Sequence, residues 1–392
     1  MCQDKNEANP HSRRLKSTAN DSCQSTCPEA LASDAARQKQ YHRLKDHVIW
    51  SVENGQLVEV GTWSTSVREL TNLFVNEIPR RTAGWRKRRL MLFACSGLEP
   101  EDVLLKQLDR WRTVFLAGEI YPLFFVWQTD LFEEICRLYA ARPEDIDFDC
   151  DTWDTYDARW QPRIAWMAAQ ETALAATDHQ AGAARMICTQ LDRLRSQRFN
   201  FEIHLVADSL GAAFHALFAQ LLSTCGDIHH GILMGDAGKG LPIKTVTLWA
   251  PACTVALFRQ TYLELLVHQR IGKLAIFMLD HETEMSDELH GIYPHSFLHL
   301  VSHHLEGRVG MPWDFLMGTS PVPMLGLQSS FKEDQTTAQL IKPLMPHRLE
   351  IITSPNPSPL GDSCAARAIS HRDFARDEAV LLATILRILQ DN

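Results

Sequence analysis

Short apolar runs, separated by amphipathic segments, constrain this chain more than any other feature. RLMLFA (89–94), YPLFFVW (121–127), FEIHLVA (201–207), KTVTLWA (244–250), KLAIFML (273–279) and RLEIIT (348–353) show little regular alternation of polar and apolar positions. A strand with one wet face alternates, so runs like these belong to strands buried on both faces. The stretches between them have helical period. In EDVLLKQLDRWRTVFLAG, Leu104, Leu108, Trp111 and Phe115 share one face, acids open the segment and Gly118 closes it. DLFEEICRLYAA, residues 182–196 and the closing DEAVLLATILRIL have the same character, and another helix is expected near 65–78. The alternation predicts an α/β fold, a mainly parallel doubly wound sheet covered by helices. HVIWSVENGQLVEVG departs from the pattern. Its Asn54-Gly55 suits the positive φ angles of a tight turn, which predicts an N-terminal antiparallel hairpin at the sheet edge.

The 392 residues, 45% of them hydrophobic, suit one large α/β domain over about 46–392. Residues 1–45 are polar and aperiodic, and are expected to form a disordered arm. Two insertions break the alternation. Residues 143–180 carry Asp145, Asp147, Asp149, Asp151, Asp154 and Asp157 among aromatic residues; residues 306–345 hold Gly, Pro and Met. Such lengths in a compact domain point to lids or binding loops, and 143–180 is where a protein partner could dock. The net charge of −9 argues against nucleic acid as the main partner. No run approaches the roughly 20 apolar residues of a membrane span, and the first residues lack the apolar stretch of a secretory leader. Ten cysteines without a CxxC pair read as reduced thiols, which places the protein in the cytoplasm.

The chemistry concentrates at FEIHLVADSLGAAFHALF, which reads as buried strand, sharp turn and helix with Ser209 on the turn. A serine hydroxyl is a poor nucleophile until a base removes its proton. A strained strand-to-helix turn pushes it out of the sheet, and the N–H of the next residue, Leu210, can face a developing oxyanion. The turn needs small residues two before and two after the serine; Ala207 and Gly211 meet that need. Asp208 sits between, where its charge could raise the pKa of a nearby imidazole or repel an anionic substrate. His371, in AISHRDFARDEAV, follows the last strand and precedes the last helix, the place of the base in a chain order of Ser, acid, His. The acid is ambiguous: Asp280 is preferred on position at the end of KLAIFML, Asp287 stands close behind, and Glu284 is third. Cys95-Ser96-Gly97 after RLMLFA is the expected source of a second oxyanion donor, from Ser96 or Gly97. No cofactor and no metal are implied, and the substrate expected is a small molecule with an acyl bond.

These motifs carry a family resemblance. From about residue 46 onward the chain resembles the α/β-hydrolase superfamily, and in particular a group of mostly uncharacterised bacterial hydrolase-like proteins. The matching stretches are LFACSGL, EIYPLFFVWQTDLFEE, HLVADSLGAAFHA, HGIYPHSFLHLVSHHLEG and AISHRDFARDE. The group usually has His-Gly-Gly-Leu where this chain has Cys95-Ser96-Gly97-Leu98, and Gly-His-Ser-x-Gly where it has Ala207-Asp208-Ser209-Leu210-Gly211. The resemblance carries Ser209 and Asp287, Glu284 and His371 over as nucleophile, alternative acids and base. It implies an esterase-like serine hydrolase; a catalytically silent fold used for binding is the alternative.

Weaker signals have plainer readings. GDAGKG (235–240) lacks the spacing of a phosphate loop, and the aspartates 145–151 have Cys150 where a calcium loop needs glycine. Arg80, Arg81, Arg86, Lys87, Arg88 and Arg89 read as a solvated connector, and the pairs His229-His230 and His303-His304 diverge too much to chelate alone.

Overall fold

The computed structural model describes residues 38–51, 53–58, 63–127, 129–141, 153–289, 291–306 and 321–390. The chain divides into two units, Met1–His42 and Arg43–Asn392. In the first, only 38–42 are described, and they are helical; the helix runs on to 44, with Leu44 buried, so the expected disordered arm does not reach 45, and its residues 1–37 fall outside the described residues. The second unit holds the sheet. No helix among the described residues is long and apolar enough to cross a membrane.

The sheet has seven strands in the order β1 (Val48–Trp50), β3 (Ile120–Val126), β2 (Arg89–Ala94), β4 (Glu202–Asp208), β7 (Ile243–Trp249), β8 (Ile271–Leu279) and β9 (Leu349–Ser354). Every neighbouring pair is parallel. Along β2, Leu90, Leu92 and Ala94 join the core on one face, while Met91 and Phe93 join the core on the other. That division is the reason the strand is apolar throughout. On the second face Phe93, Trp111 and Trp249 meet as a ring cluster with centroids 5.0–5.6 Å apart.

Helices α1 (Val67–Asn72), α2 (Glu101–Ala117), α3 (Leu131–Ala140), α4 (Trp153–Asp178), α5 (Ala183–Ser196) and α6 (Gly211–Ser223) fall between the strands. Ser66 starts α1 with a capping box: its hydroxyl accepts from Glu69 N–H, and the Glu69 carboxylate accepts from Ser66 N–H. A small antiparallel pair, β5 (Cys225–Asp227) with β6 (Ala237–Lys239), absorbs the GDAGKG stretch. Asp236 there pairs with Arg185, so the stretch is a surface hairpin.

Two expectations change. β1 runs parallel to β3, and around a short 3-10 turn at Glu53–Gly55 the antiparallel contact among the described residues is the bridge of Ser51 to Leu57; residues 52 and 59–62 of the expected hairpin lie outside them. Asn54 and Gly55 do have φ of 64° and 68°. The turn is pressed against α4, where a Cβ on Gly55 would stand 2.1 Å from the Ala176 nitrogen. The insertion 143–180 also differs from a loop-like lid. Its α4 is 26 residues long and buries Trp166, Ala169, Ala173 and Ala176 in the core. Residues 142–152, with the first aspartates, lie outside the described residues. In 306–345, residues 307–320 also lie outside, while Met324, Leu325 and Leu327 are core residues.

This topology reverses direction at β2. β2 lies between β3 and β4, so successive strands add to opposite sides of it. In open parallel sheets, ligands bind beyond the carboxyl ends of the strands where the order reverses in this way. Ala94 of β2 is in register with Ala207 of β4, so the Cys95-Ser96-Gly97 turn and Ser209 leave the sheet side by side.

Candidate active site

β4 ends at Asp208, and the chain turns at Ser209 with φ of 50°. A non-glycine residue in that region costs of order 1–3 kcal/mol and persists only where its surroundings hold it. Here they do. Ser209 N–H donates to the Trp249 carbonyl at 2.9 Å, and the Ser209 carbonyl accepts from Ala252 N–H at 2.9 Å and Ala212 N–H at 3.1 Å. Two residues on, a Cβ at Gly211 would stand 2.3 Å from the Ala94 carbonyl oxygen, so the turn requires glycine there. Ala207 is fully buried, and its methyl group is accommodated.

Ser209 Oγ lies 2.9 Å from His371 Nε2, across 162 residues of sequence. His371 opens a short 3-10 segment, His371–Ala375, ahead of the last helix. Its ring packs on Phe297 with centroids 5.4 Å apart. Burial pushes the imidazole pKa down to about 3, and the Arg372 guanidinium adds to the effect. The ring is therefore neutral at pH 7, with Nε2 facing the Ser209 hydroxyl.

The acids separate clearly. Asp280 Oδ1 accepts from Thr283 N–H at 2.8 Å and caps helix α7 (His281–Ser286). Glu284 is buried and hydrogen-bonded to the Ser296 hydroxyl; burial pushes its pKa up to about 8. Asp287 Oδ2 accepts from the His371 main-chain N–H at 3.0 Å. Of the three, Asp287 is the carboxylate hydrogen-bonded to His371, so the positional preference for Asp280 gives way to the cap it forms.

The CSG turn also resolves into roles. Cys95 N–H continues the ladder to the Phe125 carbonyl at 3.1 Å. Burial drives the Cys95 thiol well above its ordinary pKa, which makes it a poor nucleophile. Gly97 has φ of 76°, a conformation that favours glycine. The Ser96 Oγ accepts from Leu98 N–H at 3.2 Å and bonds to the Asp208 carboxyl. Main-chain N–H groups of Leu210, Ser96 and Gly97 have no acceptor among the described residues. Asp208 itself is buried. Desolvation first, then the nearby Glu99, pushes its pKa up to about 8, so it is mostly neutral at pH 7 and carries little of the charge its position implied.

Sequence reasoning passed over Glu99 and Arg372. Glu99 is 4% exposed and accepts from Arg372 Nε at 2.9 Å, Arg372 Nη2 at 3.1 Å and Arg376 Nη2 at 2.8 Å. The only local signal was adjacency, Glu99 after CSGL and Arg372 after His371; the pairing spans 273 residues. No group of three or more His, Cys, Asp or Glu among the described residues could hold a metal ion. No family model, curated protein or solved structure matches this chain.

Proposed function

We propose that this chain is a serine hydrolase acting on an ester or related acyl bond of a small molecule. The observation that carries the reading is Ser209 Oγ at 2.9 Å from a buried, neutral His371 Nε2, on a positive-φ turn at the sheet's reversal point. Ser209 attacks the acyl carbonyl as His371 takes its proton, and His371 returns that proton to the leaving group. Water then repeats the sequence on the acyl-enzyme. The imidazolium formed on the way needs a carboxylate nearby, and Asp287, bonded to the His371 main chain, is the residue assigned to it. The oxyanion is assigned to the N–H groups of Leu210 and of Gly97 or Ser96. Such donors are often the largest catalytic contribution, the loss of one costing about 2.7–4 kcal/mol. The strand order, elbow and placement of His371 also support membership of the α/β-hydrolase superfamily as a proposal.

One observation favours a silent binding fold instead: Ser209 is 1% and His371 3% exposed. Labelling with a fluorophosphonate decides between the two. The expected result is one covalent adduct on the native chain, lost in Ser209→Ala. A folded native chain without serine-dependent labelling leaves the silent fold.

A further inference from the structure

We infer that Glu99 is a positioning residue for this site: through Arg372 it locks the His371 segment to the turn that carries the oxyanion donors. The inference rests on the hydrolase reading above and extends it to a residue no triad contains.

Its basis is the path of connection. Glu99 follows Cys95-Ser96-Gly97-Leu98 at the end of β2, and its main-chain carbonyl accepts from Asp130 N–H at 3.1 Å. Leu131 N–H donates to the Gly97 carbonyl at 3.2 Å, so the start of α3 braces the turn from below. Arg372 is the residue after His371. Its guanidinium meets the Glu99 carboxylate through two bonds, at 2.9 Å and 3.1 Å, a paired geometry that fixes direction as well as distance. The same guanidinium lies over the Phe132 ring, 4.3 Å from its centroid, and reaches Glu133 Oε1 at 3.3 Å. Arg376 closes on Glu99 from one helical turn further along. The nucleophile is held by β4 and β7, the base by the segment after β9, and the oxyanion turn by β2. Glu99 with Arg372 joins the last two directly.

The pair is also electrostatic. Several titratable groups belong to the elements that meet His371 or Arg372. Arg372 is its chain neighbour, and Asp287 lies on the loop after α7 with Glu284 on that helix. Asp208 lies on β4, Glu99 on the β2 turn, Glu133 on α3, and Asp373 and Arg376 on its own segment. Arg372 opposes a positive charge on the ring. Glu99 offsets Arg372 through two bonds, so removing its charge leaves the guanidinium with the single, longer contact to Glu133 beside the forming imidazolium. A salt bridge that served only stability would not slow the reaction of Ser209.

The test compares Glu99→Gln, Glu99→Asp, Arg372→Gln and the double variant Glu99→Gln/Arg372→Gln, in the full chain, by the rate of fluorophosphonate labelling at saturation and the probe concentration at half-saturation. Glu350→Gln is the control, since Glu350 on β9 forms a comparable two-bond pair with the buried Arg387 of the last helix, Glu378–Leu389. Glu99→Gln is expected to lower the saturated rate at least 10-fold with half-saturation unchanged, and Glu99→Asp to recover part of it. The double variant is expected to be no slower than Glu99→Gln, because the two residues act as a unit. Glu350→Gln is expected to lower the melting temperature and leave the labelling rate alone. Labelling of Glu99→Gln at the native rate overturns the inference while leaving the hydrolase reading intact. So does a rate loss in all variants, Glu350→Gln included, that simply follows melting temperature. Absence of labelling in the native chain sinks both.

Discussion

At the scale of single residues, the buried carboxyls set how the protein responds to pH. Asp208 and Glu284 each have pKa values raised to about 8, from ordinary values of 3.8 and 4.5, chiefly by burial. A raised acid binds its proton more tightly in the folded chain. Its contribution to stability is therefore complete below the unfolded pKa and is lost as pH rises through the folded one. Melting temperature is expected to fall between pH 5 and pH 9. Asp208→Asn keeps the shape without the ionisation, so it should raise the melting temperature at pH 9 by about 2 °C or more and leave it nearly unchanged at pH 4. Equal effects at both pH values would show that Asp208 is not titrating. The same burial keeps His371 neutral at pH 7.

At the scale of elements, α4 changes meaning most. Its residues looked like part of an acidic lid, yet Trp166 is fully buried and anchors the helix. The indole Nε1–H donates to Glu306 Oε2 at 2.8 Å, Gln170 donates to the same oxygen at 2.7 Å, and the ring packs on Phe297 at 5.8 Å. Phe297 in turn packs on His371. Trp166→Ala should cost about 3–5 kcal/mol in urea unfolding, the range for emptying a large aromatic site. Trp166→Phe keeps most of the packing and leaves Glu306 short of a donor, so it should cost about 1–3 kcal/mol. If both variants unfold at the native midpoint, α4 is not part of the core.

At the scale of the whole molecule, stability follows the sheet. β2, β4, β7 and β8 each have neighbours on both sides, whereas β1 is a three-residue edge strand whose strand neighbour among the described residues is β3. Local opening is easiest where few buried groups hold the backbone. Amide exchange is expected to be slowest in β2, β4, β7 and β8 and clearly faster in β1. Exchange in β1 as slow as in β4 would contradict that ordering. The Ser209 turn and the CSG turn both leave from the sheet interior, from the adjacent strands β4 and β2.

How much of this was legible in the chain can be judged element by element. RLMLFA, KLAIFML and the helix after Pro100 were readable because burial on both faces, or on one helical stripe, leaves a local pattern. Ser209 was readable too, because a strained turn demands small flanking residues within five positions. The hairpin at Asn54-Gly55 misled: the dipeptide dictated positive φ, but α4, far along the chain, decided what the turn packed against. Asp280 misled in the same way, since a cap and a triad acid look alike beside a strand end. The sequence by itself thus determined the α/β class, the strands and the Ser209 turn. Only the tertiary structure decided that Asp287 meets His371, that Asp208 is mostly neutral at pH 7, and that Glu99 grips Arg372. Each of those depends on distance and desolvation between residues far apart in the chain, and neither quantity leaves a periodic trace.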